Sequence, residues 1–196
     1  MSLHPDSASS FLIVPGLHNS GPDHWQTWLE KLLPRVRRVQ QADWEAPRLP
    51  VWADVVRQAL QETDVPLWII AHSFGCLASV AAARAFPHKV RGALLVAPAN
   101  PERFRIPAHE LAGALPFPTR LIASANDPWM PLDSACRWAE TWGSDFIDVG
   151  CLGHINTESG HGPWPAALEH LRELQDGRVH VQYAPSPIRF SDPVPA

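Results

Sequence analysis

Four short segments of the chain carry side chains able to perform acyl transfer. At 71–75 the sequence reads Ala-His-Ser-Phe-Gly. A serine hydroxyl is a weak nucleophile until a base removes its proton, so it must be presented where a base can reach it. A tight strand-to-helix turn does this, and it needs small residues two before and two after the serine so that the two backbones can pass. Ala71 and Gly75 fill those places, with alanine where glycine is usual, a departure of one methyl group. The bland alternative for Ser73 is a helix cap. A buried strand before it and a small-residue helix after it favour the turn.

The second segment is Ser-Ala-Asn-Asp-Pro-Trp-Met-Pro at 124–131. A carboxylate at Asp127, stiffened by Pro128 and Pro131, could accept an imidazole N–H and set the ring's tautomer. Taken alone, Asn-Asp-Pro reads as an ordinary turn. Asp133, Asp145 and Asp148 are weaker candidates, lying in the next helix or in or before the next strand. The third segment, Gly-Cys-Leu-Gly-His-Ile-Asn at 150–156, offers His154 as the base. Ten histidines make any single one weak evidence, and His161 is the fallback. His72, beside the serine, is expected to point away from its oxygen and form pocket wall. The fourth segment, Val-Pro-Gly-Leu-His-Asn-Ser-Gly at 14–21, turns at Gly16. A developing oxyanion needs aimed backbone donors. The amides of Phe74 and Leu17 are the expected pair, with His18 next in line.

The elements that must position these residues alternate along the chain. Strands are expected at 10–14, 36–40, 67–71, 91–96, 119–124 and 145–149, several as the continuous apolar runs of a buried parallel sheet. Helical spacing joins Trp25, Trp28, Leu29, Leu32 and Leu33 behind Ser20-x-x-Asp23, a candidate cap. Trp52, Val55, Val56 and Leu60 make a second stripe, 76–86 a small-sided helix, and Trp164, Ala167, Leu168, Leu171 and Leu174 the last. Right-handed crossovers then give a three-layer α/β/α sandwich whose ligands gather beyond the carboxyl ends of the strands. Ser73 follows the third strand, Asp127 the fifth and His154 the sixth. Nucleophile, acid, base is the order of roles in α/β-hydrolases.

Bulk properties exclude several other classes. With 196 residues, 45% hydrophobic and 18% charged, the chain suits one globular domain at 10–176. A flexible tail is expected at 1–9, and an extended proline-rich one at 177–196, holding Pro185, Pro187, Pro193 and Pro195. The net charge of −4 comes without a basic block, so neither nucleic acid nor an anionic membrane is an expected partner. No signal-like start or spanning apolar run is evident. Cys76, Cys136 and Cys151 are an odd, scattered set, which fits a reducing cytoplasm. His18 and His24 lie six apart and His154 and His161 seven, unlike zinc-hydrolase spacings, and there is no phosphate loop. Neither a metal nor a cofactor is implied.

The run Leu-His-Asn-Ser-Gly-Pro-Asp-His-Trp-Gln at 17–26, with Asp-Trp-Glu at 43–45, Ala-His-Ser-Phe-Gly-Cys at 71–76, Asn-Asp-Pro at 126–128 and Gly-His-Ile-Asn at 153–156, resembles the retinoblastoma-binding-protein-9/YdeN family of serine hydrolases. The likeness spans roughly 11 to 174. It implies a compact α/β-hydrolase with six mainly parallel strands, little or no cap, and a triad falling on Ser73, Asp127 and His154. The family name suggests a protein partner, yet no cysteine here has Leu two before it and Glu two after, so the Leu-x-Cys-x-Glu signature is missing.

The expected activity is hydrolysis of a small carboxylic ester, or an amide or thioester, in an open pocket. Loops after strands one, four and five should line that pocket, with His18, Pro98 and Trp129 as walls. Two rivals remain at this point: a partner-binding module with an idle triad, and a cofactor-free perhydrolase or lyase on the same scaffold.

Overall fold

Six short segments pair into one sheet, and the inner strands are apolar on both faces and must be covered on both, whereas the edge strand at 36–38 is Val-Arg-Arg. In the computed structural model, which describes residues 9–178, these are β1 (Phe11–Val14), β2 (Val36–Arg38), β3 (Leu67–His72), β4 (Val90–Val96), β5 (Thr119–Ala123) and β6 (Asp145–Asp148). The expected tails, 1–9 and 177–196, lie outside the described residues except for Ser9, Gly177 and Arg178. All pairings are parallel, in the order β2-β1-β3-β4-β5-β6. The chain belongs to the α/β-hydrolase fold, with the six strands expected from the sequence and their ends shifted by a residue or two.

Alternation within the strands splits the core in two. Leu12, Val14, Ile69 and Ala71 face α2 (Leu49–Gln61), α3 (Phe74–Ala83) and α4 (Leu132–Trp142). Phe11, Ile13, Trp68 and Ile70 face α1 (Trp25–Leu32) and α5 (Pro165–Gln175). This side-to-side alternation is the two-residue period of a strand, and it produces the three layers. No cap domain is inserted: the longest connection, 97–118, holds only two single 3-10 turns, at Pro101–Phe104 and Ala108–Glu110. No helix among the described residues is long and apolar enough to cross a membrane.

The register aligns the strand ends. Val14 pairs with Ala71, His72 with Val96, Val96 with Ile122 and Ala123 with Asp148. Loops after β1, β3, β4, β5 and β6 therefore leave the sheet along one edge. The strand order reverses between β1 and β3, the place where such sheets open a crevice. At the opposite, amino-terminal edge, the fully buried Arg120 guanidinium bonds Asp145 (2.8 Å), Glu173 (2.7 Å) and the carbonyl of Arg178 (2.6 Å), tying α5 to the sheet.

Two helix starts differ from expectation. Ser20 and Asp23 do not cap α1, because Ser20 is buried and its hydroxyl donates to the Gln26 amide oxygen at 2.6 Å. His24 is the cap instead, its Nδ1 accepting the Gln26 backbone N–H at 3.1 Å. The helix expected from residue 76 begins at Phe74, immediately after a serine held at φ 53°, ψ −125°.

Candidate active site

Ser73 occupies a backbone region that side chains avoid at a cost of about 1–3 kcal/mol, which the surrounding packing must offset. Gly75 shows how. A Cβ there would lie 2.4 Å from the carbonyl oxygens of both Val14 and Pro15, so only glycine lets α3 start against the end of β1. Gly16 lies equally close: a Cβ on it would meet the Ser73 Cβ at 2.6 Å and Oγ at 3.2 Å. The loop after β1 thus runs directly against the serine side chain. In that loop the His18 amide is committed to the Trp44 carbonyl (3.2 Å) and the Asn19 amide to that of Gly16 (3.2 Å). His18 is thereby removed as the alternative donor. The amides of Leu17 and Phe74 meet no acceptor among the described residues.

His154 Nε2 lies 2.9 Å from Ser73 Oγ, and its Nδ1 lies 3.0 and 2.9 Å from the two oxygens of Asp127. A carboxylate can only accept, so Nδ1 carries the proton and Nε2 is left to accept from the hydroxyl. The Asp127 side chain is 2% exposed and also accepts the Trp129 amide at 2.8 Å. The structure therefore brings Ser73, His154 and Asp127 into one hydrogen-bonded row. Asp133, Asp145 and Asp148 are not part of it. His161, the fallback base, bonds Ser159 Oγ through Nδ1 (3.2 Å) and packs edge-on against Trp164.

The loop holding His154 is fastened from three directions. The Leu152 amide donates to Ser124 Oγ (2.9 Å) and the Gly153 amide to Asn126 Oδ1 (2.7 Å), so the loop after β5 grips it on one side. His72 Nε2 donates to the His154 carbonyl (2.9 Å), and Trp25 Nε1 to that of Ile155 (2.8 Å). Gln26 is fully buried and donates to the carbonyls of Val14 (3.3 Å) and Ile70 (3.0 Å), which locks α1 to the ends of β1 and β3. Burial, followed by the neighbouring His154 and His24 rings, holds the His72 imidazole well below its usual pKa and keeps it neutral.

A cleft of about 250 Å³ opens above the serine. Leu17, Phe104 and Trp129 supply apolar wall, and His24, Asn156 and Thr157 a polar one. His18 lines it too, with its ring mostly exposed and paired to Glu45 at 2.8 Å. Trp129 is 37% exposed at the mouth, with the Arg103 guanidinium 5.2 Å above its ring. Pro98 is not a wall: it is buried, and from the loop after β4 it is Phe104 that reaches the cleft. The loop after β6 contributes Asn156, which ends the Gly-His-Ile-Asn motif, and Thr157 and Glu158, which no motif in the sequence marks. Nor does the sequence alone single out His24, although the His-Trp-Gln run at 24–26 contains three of the residues that shape the site.

A family model described as serine hydrolase matches residues 11–173. Among solved structures, a YdeN-like hydrolase from Pectobacterium atrosepticum is 38% identical, over 87% of this chain and 92% of that one, with a TM-score of 0.81. The ydeN gene product of B. subtilis is 20% identical, covering 86% of this chain and all of its own, with a TM-score of 0.74. The carboxylesterase CesB of Bacillus subtilis shares the fold at 10% identity, covering 89% of this chain and 86% of its own, with a TM-score of 0.66. No curated protein sequence matches the chain. With nearly the whole domain matched by the family model, the chain belongs to the serine hydrolase family.

Proposed function

We propose that the protein hydrolyses small carboxylic esters through an acyl-enzyme on Ser73, with His154 as general base and Asp127 as its orienting carboxylate. The observation that carries this reading is the unbroken Ser73–His154–Asp127 row, 2.9 Å at each link. In the first half-reaction His154 Nε2 takes the hydroxyl proton as Ser73 Oγ bonds to the ester carbonyl carbon. Asp127 holds the resulting imidazolium through Nδ1–H. The amides of Leu17 and Phe74 receive the oxyanion. Its collapse breaks the bond to the alcohol oxygen, which leaves with the proton from His154. Water then repeats the sequence on the acyl-serine and releases the acid.

A cleft this small, with no cap above it, favours short acyl groups, and a preference for long-chain triglycerides would contradict that. We place the protein in the cytoplasm, in keeping with the three free thiols among the described residues, of which Cys76 is buried and Cys151 exposed. The test of the nucleophile is Ser73→Ala with a p-nitrophenyl ester. The expected loss in kcat is about 10⁴–10⁶, the remainder coming from oxyanion donors and binding. An alanine variant with wild-type turnover would overturn the assignment.

A further inference from the structure

His24 is buried to within 4% of its surface, yet it lines the cleft. Its Nδ1 is committed, accepting the Gln26 N–H that starts α1. A neutral ring whose Nδ1 accepts must carry its proton on Nε2. That Nε2 meets no acceptor among the described residues. The ring stays neutral in ordinary buffers, because burial first, then the Arg38 charge and the His154 and His161 rings, lower its pKa to about 4. Its imidazole sits 5.0 Å from that of His72, which in turn sits 4.9 Å from that of His154.

Two amide oxygens that border the cleft are already engaged as acceptors. Asn19 Oδ1 accepts from the Ser20 amide and Arg38, and Asn156 Oδ1 from the Ser159 amide. His24 is therefore a donor held at one place, in one tautomer, with no acceptor among the described residues. Burial leaves this donor access to solvent only through the cleft, so a substrate that supplies an acceptor there gains over a substrate that does not.

We propose that His24 Nε2–H is a specificity donor, recognising a neutral acceptor oxygen, a ketone or ether, on the short acyl chain of the ester. The proposal rests on the reading of Ser73 as the nucleophile that attacks that ester. The two walls of the cleft then have separate roles, with Leu17, Phe104 and Trp129 taking the apolar part of the substrate and His24 reading its oxygen.

The experiment compares p-nitrophenyl 4-oxopentanoate with p-nitrophenyl pentanoate, which differ by a ketone remote from the scissile carbonyl. The variant is His24→Asn. Asparagine is a strong helix cap, so α1 keeps its start while the side chain becomes too short to present the donor. The readout is the ratio of kcat/KM between the two esters, not either rate alone. Wild type should favour the keto ester about fivefold, as one net hydrogen bond predicts, and His24→Asn should bring the ratio near one. A wild-type ratio near one, or a preference that survives His24→Asn, would overturn the proposal.

A second readout does not depend on turnover. In the Ser73→Ala protein, the ¹⁵N resonances of His24 should report a protonated Nε2, and that signal should shift with the keto ester and not with its isostere. The opposite tautomer, or no shift, would overturn the proposal. Should wild type cleave neither ester while the shift still occurs, the hydrolase reading fails and the donor assignment stands.

Discussion

Replacing Gly75 by alanine should damage catalysis far more than stability. The added Cβ would fall 2.4 Å from two backbone oxygens, those of Val14 and Pro15, and 2.9 Å from the Pro15 carbonyl carbon. Ordinary heavy-atom contact is about 3.5–4.0 Å, so α3 and the end of β1 must part by about 1 Å. Neither backbone has a flexible end that can give way. Overpacking of this kind costs about 1–3 kcal/mol, offset by up to about 1 kcal/mol from alanine's better helix propensity. With the full offset, the net loss of up to about 2 kcal/mol lowers Tm by up to roughly 8 °C in a domain of this length. Function should suffer more, because the same displacement moves the Phe74 amide at the head of α3 away from the Leu17 amide on the loop after β1. Misplacement by about 1 Å costs about 10²-fold in rate. The assay is p-nitrophenyl acetate turnover beside a thermal melt, with Ile147→Val as a control of similar thermodynamic cost, about 0.5–1.5 kcal/mol, in the middle of β6. Gly75→Ala with kcat within threefold of wild type would refute the claim that this close approach sets the oxyanion geometry.

Asp127→Asn should lower kcat by about 10⁴, because an amide in place of the carboxylate no longer enforces the Nδ1–H tautomer of His154; steady-state kinetics would show it, and a loss under tenfold would contradict the role given to Asp127. His24 makes stability depend on pH. Its folded pKa of about 4 lies below the unfolded 6.5, so the unfolded chain binds the extra proton first. Its contribution is complete above about pH 6.5 and is lost as pH falls through 4, by roughly 3 kcal/mol. Urea midpoints between pH 7 and 4 should fall less steeply for His24→Asn than for wild type; parallel curves would contradict the assignment.

How far the sequence reveals the site depends on whether a feature lies in strand order or in side-chain direction. The five loops that build the cleft follow from the order of the strands, and strand order follows from apolar runs such as 67–71 and 91–96. That is why Ser73, Asp127 and His154 can be named from sequence without their distances. Side-chain direction depends on tertiary closure. His18, Asn19, Ser73 and Ile155 all hold positive φ without being glycine, so no residue type announces where the chain turns. Pro98 is the second residue after β4, which suggests exposure to the cleft, but it is buried, and Phe104 reaches over from a 3-10 turn. The bonds from His72 and Trp25 to the carbonyls of His154 and Ile155 join residues 82 and 130 positions apart. No local pattern encodes such a pair. His24 is hidden for another reason, since Ser20-x-x-Asp23 is the more familiar helix start and masks the residue that does the capping.

The central claim is that one hydroxyl, lifted out of the sheet edge and bonded to His154, forms the acyl-enzyme. Reaction with a fluorophosphonate, followed by digestion and mass mapping of the adduct, tests it most directly. The predicted result is stoichiometric modification confined to Ser73. Modification at any other residue, or none while the protein still cleaves esters, would contradict it.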